Sequence, residues 1–172
     1  MNDETRNKIV KLVLEQLKKE YIHGDNGPDT FDCAGLVWYV YHEVLGINVY
    51  KEGYGQSTTG RIMTNPIGNL VYFDDEEKDL SLIKPGDVLL FHRQSKDDII
   101  PRPSNKYPGH CGIYIGNKEF IHATIRKPDI KKFLGNEYEK YEDKIKGMVI
   151  KSTLEENKFW IKKLVASKNM ID

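Results

Sequence analysis

The tripeptide Gly116-Asn117-Lys118 constrains the fold of this chain more than any other feature. It stands between two apolar runs, Gly109-His110-Cys111-Gly112-Ile113-Tyr114-Ile115 and Glu119-Phe120-Ile121-His122-Ala123. Gly and Asn tolerate the left-handed backbone of tight hairpins, so the pattern predicts two antiparallel strands. A three-residue loop pairs Ile115 with Glu119. His122 then lies opposite Gly112 and diagonal to His110, on one face and within reach. Gly112 has no side chain, so the space between the imidazoles is open. A two-residue loop separates the histidines, because a one-residue slip inverts every side chain.

A second feature lies far upstream, in Phe31-Asp32-Cys33-Ala34-Gly35-Leu36-Val37-Trp38-Tyr39-Val40. Asp32 is a good N-cap, and an apolar helical stripe follows it. Cys33 falls in the first turn, where the positive end of the helix dipole favours the thiolate by about 0.3–1 kcal/mol. The thiolate is the attacking form of cysteine. Cys33 also shares a face with Leu36, Val37, Val40 and Val44, which equally fits a buried core cysteine.

If the three residues converge, Cys33 is a nucleophile and His110 the base that activates it and later protonates a leaving amine. His122 then orients the His110 ring and fixes its tautomer. A zinc site built from the same three residues is a weaker reading, since no close-spaced ligand pair nucleates it. No cofactor and no metal are expected.

The ordered motifs resemble those of the NlpC-type cysteine peptidases, papain-like hydrolases of bacterial cell-wall peptides. Tyr21-Ile22-His23-Gly24 is similar to an upstream Tyr-x-x-Gly element, and Phe31–Val37 to the nucleophile motif. Gly55-Gln56-Ser57 resembles a Gln-containing turn, and Pro85-Gly86-Asp87-Val88-Leu89-Leu90-Phe91 a strand entry. His110–Gly116 and Phe120-Ile121-His122-Ala123 resemble the two histidine motifs. The resemblance covers about residues 5–165. It implies a single α+β, papain-like domain over 1–172, with the nucleophile helix packed on a mostly antiparallel sheet. It implies cleavage of peptidoglycan stem peptides or muropeptides, between γ-D-glutamyl and the following diamino acid. It makes Cys33, His110 and His122 catalytic, and Tyr21 and Asp32 part of the substrate subsite. An oxyanion hole comes from the Cys33 backbone N–H with the Tyr21 hydroxyl. Ala34 stands where the family usually has Ser, which removes one hydrogen-bonding group from the subsite for a free L-Ala amine. An acyltransferase or amidase of the same fold acting on a non-wall amide, and a weakly catalytic peptide-binding module, are the alternatives.

Bulk properties fit this reading. A chain of 172 residues can bury one proper core. Its 26 basic and 26 acidic residues balance, which gives no reason to expect nucleic acid or an anionic membrane as partner. No apolar run reaches membrane-spanning length. The polar start, Met-Asn-Asp-Glu-Thr-Arg-Asn-Lys, has no apolar signal region. A cytoplasmic role in muropeptide recycling, a phage or prophage origin, or a non-Sec route to the wall follows as an expectation.

Residues 4–20 predict an amphipathic helix with Ile9, Leu12, Val13 and Leu17 on its core face. The nucleophile helix runs to about Leu45 and ends at Gly46. Residues 50–70 look irregular, with a short helix from near Thr58. Val88 to His92 predicts a buried strand. The long stretch from Arg93 to Gly109 is read either as a wall of the cleft, with Arg93, Arg102 or Lys106 facing peptide carboxylates, or as a solvated insertion. Arg126 to Lys146 is charged and partly helical, and its Tyr138 and Tyr141 are placed over a sheet edge. Met148–Lys151 and Phe159–Val165 predict the last two strands, followed by a frayed tail. Cys111 follows His110 on a strand, so it is expected to point away from the catalytic face as a small core residue; a disulfide with Cys33 would inactivate the enzyme and is not expected. His23, His42 and His92 have no expected role.

Overall fold

The structure, a computed structural model, describes residues 2–53, 57–73, 78–92, 108–156 and 158–172. The proposed Gly55-Gln56 turn and the cleft-wall residues Arg93, Arg102 and Lys106 lie outside them. Helix α1 (Asn2–Leu14) is followed by strands β1 (Glu20–Tyr21) and β2 (Thr30–Phe31), helix α2 (Cys33–Leu45) and helix α3 (Thr58–Thr64). Strands β3 (Asn69–Tyr72), β4 (Val88–His92), β5 (Pro108–Gly116) and β6 (Glu119–Thr124) follow. Helix α4 (Lys127–Leu134), strand β7 (Met148–Thr153), helix α5 (Phe159–Lys163) and strand β8 (Leu164–Asn169) complete the order.

Among the described residues the strands form one sheet in the order β2-β1-β7-β6-β5-β4-β8-β3. Every pair is antiparallel except β1 with β2. This is the α+β architecture expected. Its two faces carry different cores. Helix α2 buries Leu36, Val37 and Val40 against Val88, Leu90, Cys111, Ile113, Ile121 and Ala123. The other face buries Leu89, Phe91, Tyr114 and Phe120 under Trp160 of α5. Because successive strand residues alternate between faces, His110 and His122 belong to the Trp160 side.

Four local predictions are corrected. Helix α1 stops at Leu14 rather than reaching residue 20. Lys18 takes a left-handed conformation (φ 73°). Its N–H bonds to Val149 O at 2.8 Å, drawing the chain onto β7. Phe159–Lys163 is a short helix, not a strand. The supposed tail, together with Leu164 and Val165, is β8, hydrogen-bonded between β4 and β3. Both faces of β8 are covered, so the alternation of a half-exposed strand is missing, and its buried Lys168 disguises it further. The Lys168 ammonium donates to Met63 O at 3.0 Å and to Asn65 O, capping the end of α3. Tyr138 and Tyr141 do not cover a sheet edge. They pack with Ile130, Leu134, Met148 and Ile150, and β7 is paired on both sides.

The two ends of the chain are fastened by one buried arginine. Arg6 of α1 donates to Pro85 O at 2.9 Å, Asp87 Oδ1 at 2.8 Å and Asp172 Oδ2 at 2.8 Å. Tyr41 of α2 donates its hydroxyl to Gly86 O in the same turn. The Pro85-Gly86-Asp87 entry to β4 is thus held by both helices.

Candidate active site

Asp32 begins α2 as its sequence implies. Its Oδ1 accepts from Gly35 N at 2.6 Å, and Oδ2 from Gly24 N at 2.9 Å. One carboxylate therefore caps the helix and closes the upstream loop. Burial raises its pKa first, against the two backbone donors. Gly35 is required by close approach, since a Cβ there would lie 2.0 Å from Asp25 O. Cys33 follows in the first helical turn, partly exposed. Its neighbour Ala34 is fully buried in the apolar core.

The hairpin reaches the expected register by an unexpected route. Asn117 (φ 54°) and Lys118 (φ 61°) form a two-residue turn, with Gly116 paired to Glu119. Such a loop alone separates the histidines. A bulge between Tyr114 and Gly116 restores the register, so that Tyr114 pairs with Phe120 and Ile113 with Ile121. His122 is brought opposite Gly112, where a Cβ would lie only 3.0 Å from His122 Cβ. His110 Nε2 and His122 Nδ1 are 2.8 Å apart.

The seam between β5 and β6 sets the position of Cys33. Pairing of β5 with β6 reaches only Ile113–Ile121, whereas β4 holds β5 as far as Pro108. The N-terminal end of α2 meets this open edge. There Cys111 and His110 are near enough to act on the Cys33 thiol. Its pKa is held well below the ordinary thiol range. The Cys111 hydrogen bond contributes most, against burial, followed by the hydrogen bond and charge of His110 and the Cys111 amide.

Cys111 is the small core residue expected. It is fully buried and faces the α2 side, as a core residue should. It also acts on the Cys33 thiol, a role that sequence reasoning did not give it. The Cys33 hydrogen bond and burial push the Cys111 thiol well above its usual value, opposed by Thr59. Thr59 donates to Cys111 Sγ at 3.9 Å.

The histidine pair lies in an aromatic cage. Trp160 stacks on His110 with ring centroids 5.0 Å apart and meets His122 edge-on at 4.8 Å. Phe91 and Phe120 close the cage. Asp129 fixes the indole, accepting from Trp160 Nε1 at 3.0 Å, and is itself paired with Arg126 at 2.9 Å. His122 is fully buried. Burial first, then the charges of His110 and Arg126, hold its pKa well below 6.5, so it is neutral. Its Nε2 lies 2.8 Å from Ser152 Oγ on β7.

Tyr21 is half-buried, and its hydroxyl is pushed up to about 12, by burial first and then by the charges of Cys33 and Asp32. It therefore remains a donor at neutral pH. Tyr50 also responds to Cys33, Asp32 and Cys111, with burial the main reason for its raised pKa. Sequence reasoning did not single out Tyr50, Thr59, Trp160 or Ser152. Only Ser152 had a legible signal, sharing the alternating face of β7 with Ile150, the partner of His122. His23 and His42 are exposed, and His92 ends β4 opposite Pro108. Among the described residues no helix is long and apolar enough to cross a membrane, and no cluster of three or more His, Cys, Asp or Glu suits a metal ion.

The chain is similar to known proteins in sequence and in fold. The chain is 31% identical over 131 residues to the gamma-DL-glutamyl hydrolase of Bacillus subtilis (strain 168), covering 76% of this chain and 26% of that protein. It is 27% identical over 122 residues to the murein DD-endopeptidase MepH of Escherichia coli (strain K12), covering 69% and 36% respectively. It therefore spans well under half the length of these relatives. The NlpC/p60 domain of the peptidoglycan hydrolase SagA superposes with a TM-score of 0.58 at 18% identity, over 96% of this chain and 98% of that one. At that identity the likeness establishes the fold. The family model matches residues 18–166, a span that holds the Cys33 helix and both histidine strands. The chain belongs to the NlpC/P60 family.

Proposed function

We propose that this chain is a cysteine peptidase that hydrolyses amide bonds in peptidoglycan stem peptides through an acyl-enzyme on Cys33. The observation that carries the proposal is the alignment of the partly exposed Cys33 thiol, whose pKa His110 helps to lower, with His110, which lies 2.8 Å from buried, neutral His122. The Cys33 thiolate attacks the amide carbonyl carbon. The oxyanion accepts from the Cys33 backbone N–H and the Tyr21 hydroxyl, which its raised pKa keeps protonated. Protonated His110 gives its proton to the amide nitrogen, the C–N bond breaks and the amine leaves. Water then loses a proton to His110 and attacks the thioester. The acid is released and Cys33 regenerated.

Trp160 stacks on the His110 ring and holds its plane. Tyr21 and Asp32 are the proposed subsite for a substrate amine. Ala34 offers that subsite no hydroxyl, and it is closed off in the core. The proposed bond lies between γ-D-glutamyl and the following diamino acid, a reading in keeping with the name of the Bacillus subtilis relative. The Escherichia coli relative carries the name of a different bond class, so the products must be read directly.

The test is mass spectrometry of defined muropeptides after incubation with the wild-type protein and with Cys33→Ala. Stems with and without a free L-Ala amine, carrying meso-diaminopimelate or Lys, are compared. A Cys33-dependent cut after D-Glu is expected. A product joined to an added amine makes the protein an acyltransferase instead. Intact stems beside a rapidly alkylated Cys33 place the substrate among non-wall amides.

A further inference from the structure

We propose that Ser152 is a positioning residue of this site: its hydroxyl accepts the Nε2–H of His122 and so keeps the His122 Nδ1 lone pair aimed at His110. The inference rests on the Cys33–His110–His122 reading above. It begins from the two contacts of His122. Nδ1 lies 2.8 Å from His110 Nε2, and Nε2 lies 2.8 Å from Ser152 Oγ.

A neutral imidazole has one donor nitrogen and one acceptor nitrogen. His122 is fully buried, so neither can turn to solvent. Two proton arrangements fit the distances. In one, Ser152 donates to Nε2, and His122 Nδ1–H donates to His110 Nε2. His110 then carries its own proton on Nδ1, towards Cys33, and cannot take the thiol proton. In the other, Nε2–H donates to Ser152, and Nδ1 accepts from His110 Nε2–H. His110 Nδ1 is then free to receive the Cys33 proton, giving a thiolate beside an imidazolium. Only this second arrangement survives once His110 is charged, because both its nitrogens then carry hydrogens.

Ser152 is what makes that state affordable in a buried setting. Without an acceptor at Nε2, the charged His110 forces a buried N–H of His122 to remain unpaired. Ser152 is partly exposed, so its own O–H can turn outward to water while its oxygen accepts from His122. Strand β7 fixes the distance, because His122 pairs with Ile150 and Ser152 is the next residue on the same face. The other groups facing His122 do not compete for Nε2. His110 occupies Nδ1, Phe120 and Trp160 present rings, and Arg126 is paired with Asp129.

The experiment measures the rate of Cys33 alkylation by iodoacetamide against pH, with peptide mapping to separate Cys33 from buried Cys111. Wild type, Ser152→Thr and Ser152→Val are compared, with His110→Gln as reference. Thr and Val have the same shape and both suit a strand, so folding defects cancel between them. Ser152→Val is expected to move the alkylation midpoint up by about 0.5–1 pH unit, and Ser152→Thr to leave it near wild type. The imidazole nitrogen NMR signals of His122 should report Nε2–H in wild type and Ser152→Thr. Matching profiles for Thr and Val, with His110→Gln displaced from both, overturn the role of Ser152 and spare the triad reading. A profile indifferent to His110→Gln overturns both.

Discussion

The Cys33 thiol at the start of α2 and the buried Cys111 thiol on β5 act on each other: the pKa of Cys33 is lowered and that of Cys111 raised. Cys33 ionises first because Cys111, the helix N-terminus and His110 all favour its anion. Cys111 then holds its own proton against a neighbouring negative charge.

That pairing predicts an intramolecular disulfide under mild oxidation. Hydrogen peroxide converts the Cys33 thiolate to a sulfenic acid, releasing hydroxide. The Cys111 thiol then attacks that sulfur and the hydroxyl leaves as water. Peptide mapping should find Cys33 joined to Cys111 and alkylation of Cys33 lost, both restored by dithiothreitol. Sulfinic acid on Cys33 beside a free Cys111 would contradict the arrangement.

Replacing Cys111 by Val keeps an apolar side chain and removes the S–H donor. The Cys33 alkylation midpoint should rise by about 0.5–1 pH unit, the effect of losing one hydrogen bond to the anion. Thermal stability should change little, because the site remains filled. An unmoved midpoint would show that the helix end and His110 alone set the thiol.

Gly112→Ala probes the space between the imidazoles. The new methyl meets Ile121 O at 2.8 Å, His122 Cβ at 3.0 Å and Phe120 Cδ2 at 3.1 Å. Crowding of this kind costs about 1–3 kcal/mol. The denaturant midpoint should fall, and alkylation of Cys33 at neutral pH should slow several-fold as His122 is displaced. Wild-type values for both would mean that β6 moves aside freely.

Arg6→Met should be among the most damaging changes remote from the site. Asp87 has a side-chain exposure of only 3%, and without Arg6 its charge is left uncompensated. Breaking a buried pair from one side costs about 3–5 kcal/mol. Urea unfolding measures the loss. A parallel Asp87→Asn, Arg6→Met double variant should recover part of it.

His122 also predicts an acid-sensitive fold. Its folded pKa lies well below 6.5 because burial disfavours the charge, whereas the unfolded chain binds a proton near 6.5. Between those values the unfolded state carries the extra proton, so stability falls as pH drops. The slope from this residue is at most about 1.4 kcal/mol per pH unit. Urea unfolding at pH 7, 6 and 5 measures it, and His122→Gln should flatten that part of the curve.

The pieces legible in the sequence were those with strong local chemistry. Asp32 and Gly46 mark the ends of α2, and both act as caps. The glycine-rich turn marks the hairpin, and the pairing of His122 with Gly112 follows from alternation. The bulge at Ile115 was not legible, because its residues differ in no way from those of a regular strand. The influence of Cys111 on Cys33 was not legible either. Alternation states which face a side chain takes, but not which residue of another element comes near it. The helix at Phe159 and the strand at Leu164 were blurred together because short apolar segments fit either period. Trp160 joins the site only through tertiary packing.

The position of β8 has a consequence for how the molecule is made. The last of the described strands to leave the ribosome lies between β4 and β3, not at a margin. Until Leu164–Asn169 emerge, β4 lacks one neighbour and β3 lacks its partner among the described strands. The Arg6 clasp on Asp172 must wait as well. The sheet that supports His110 therefore stays incomplete during synthesis until Leu164–Asn169 have emerged.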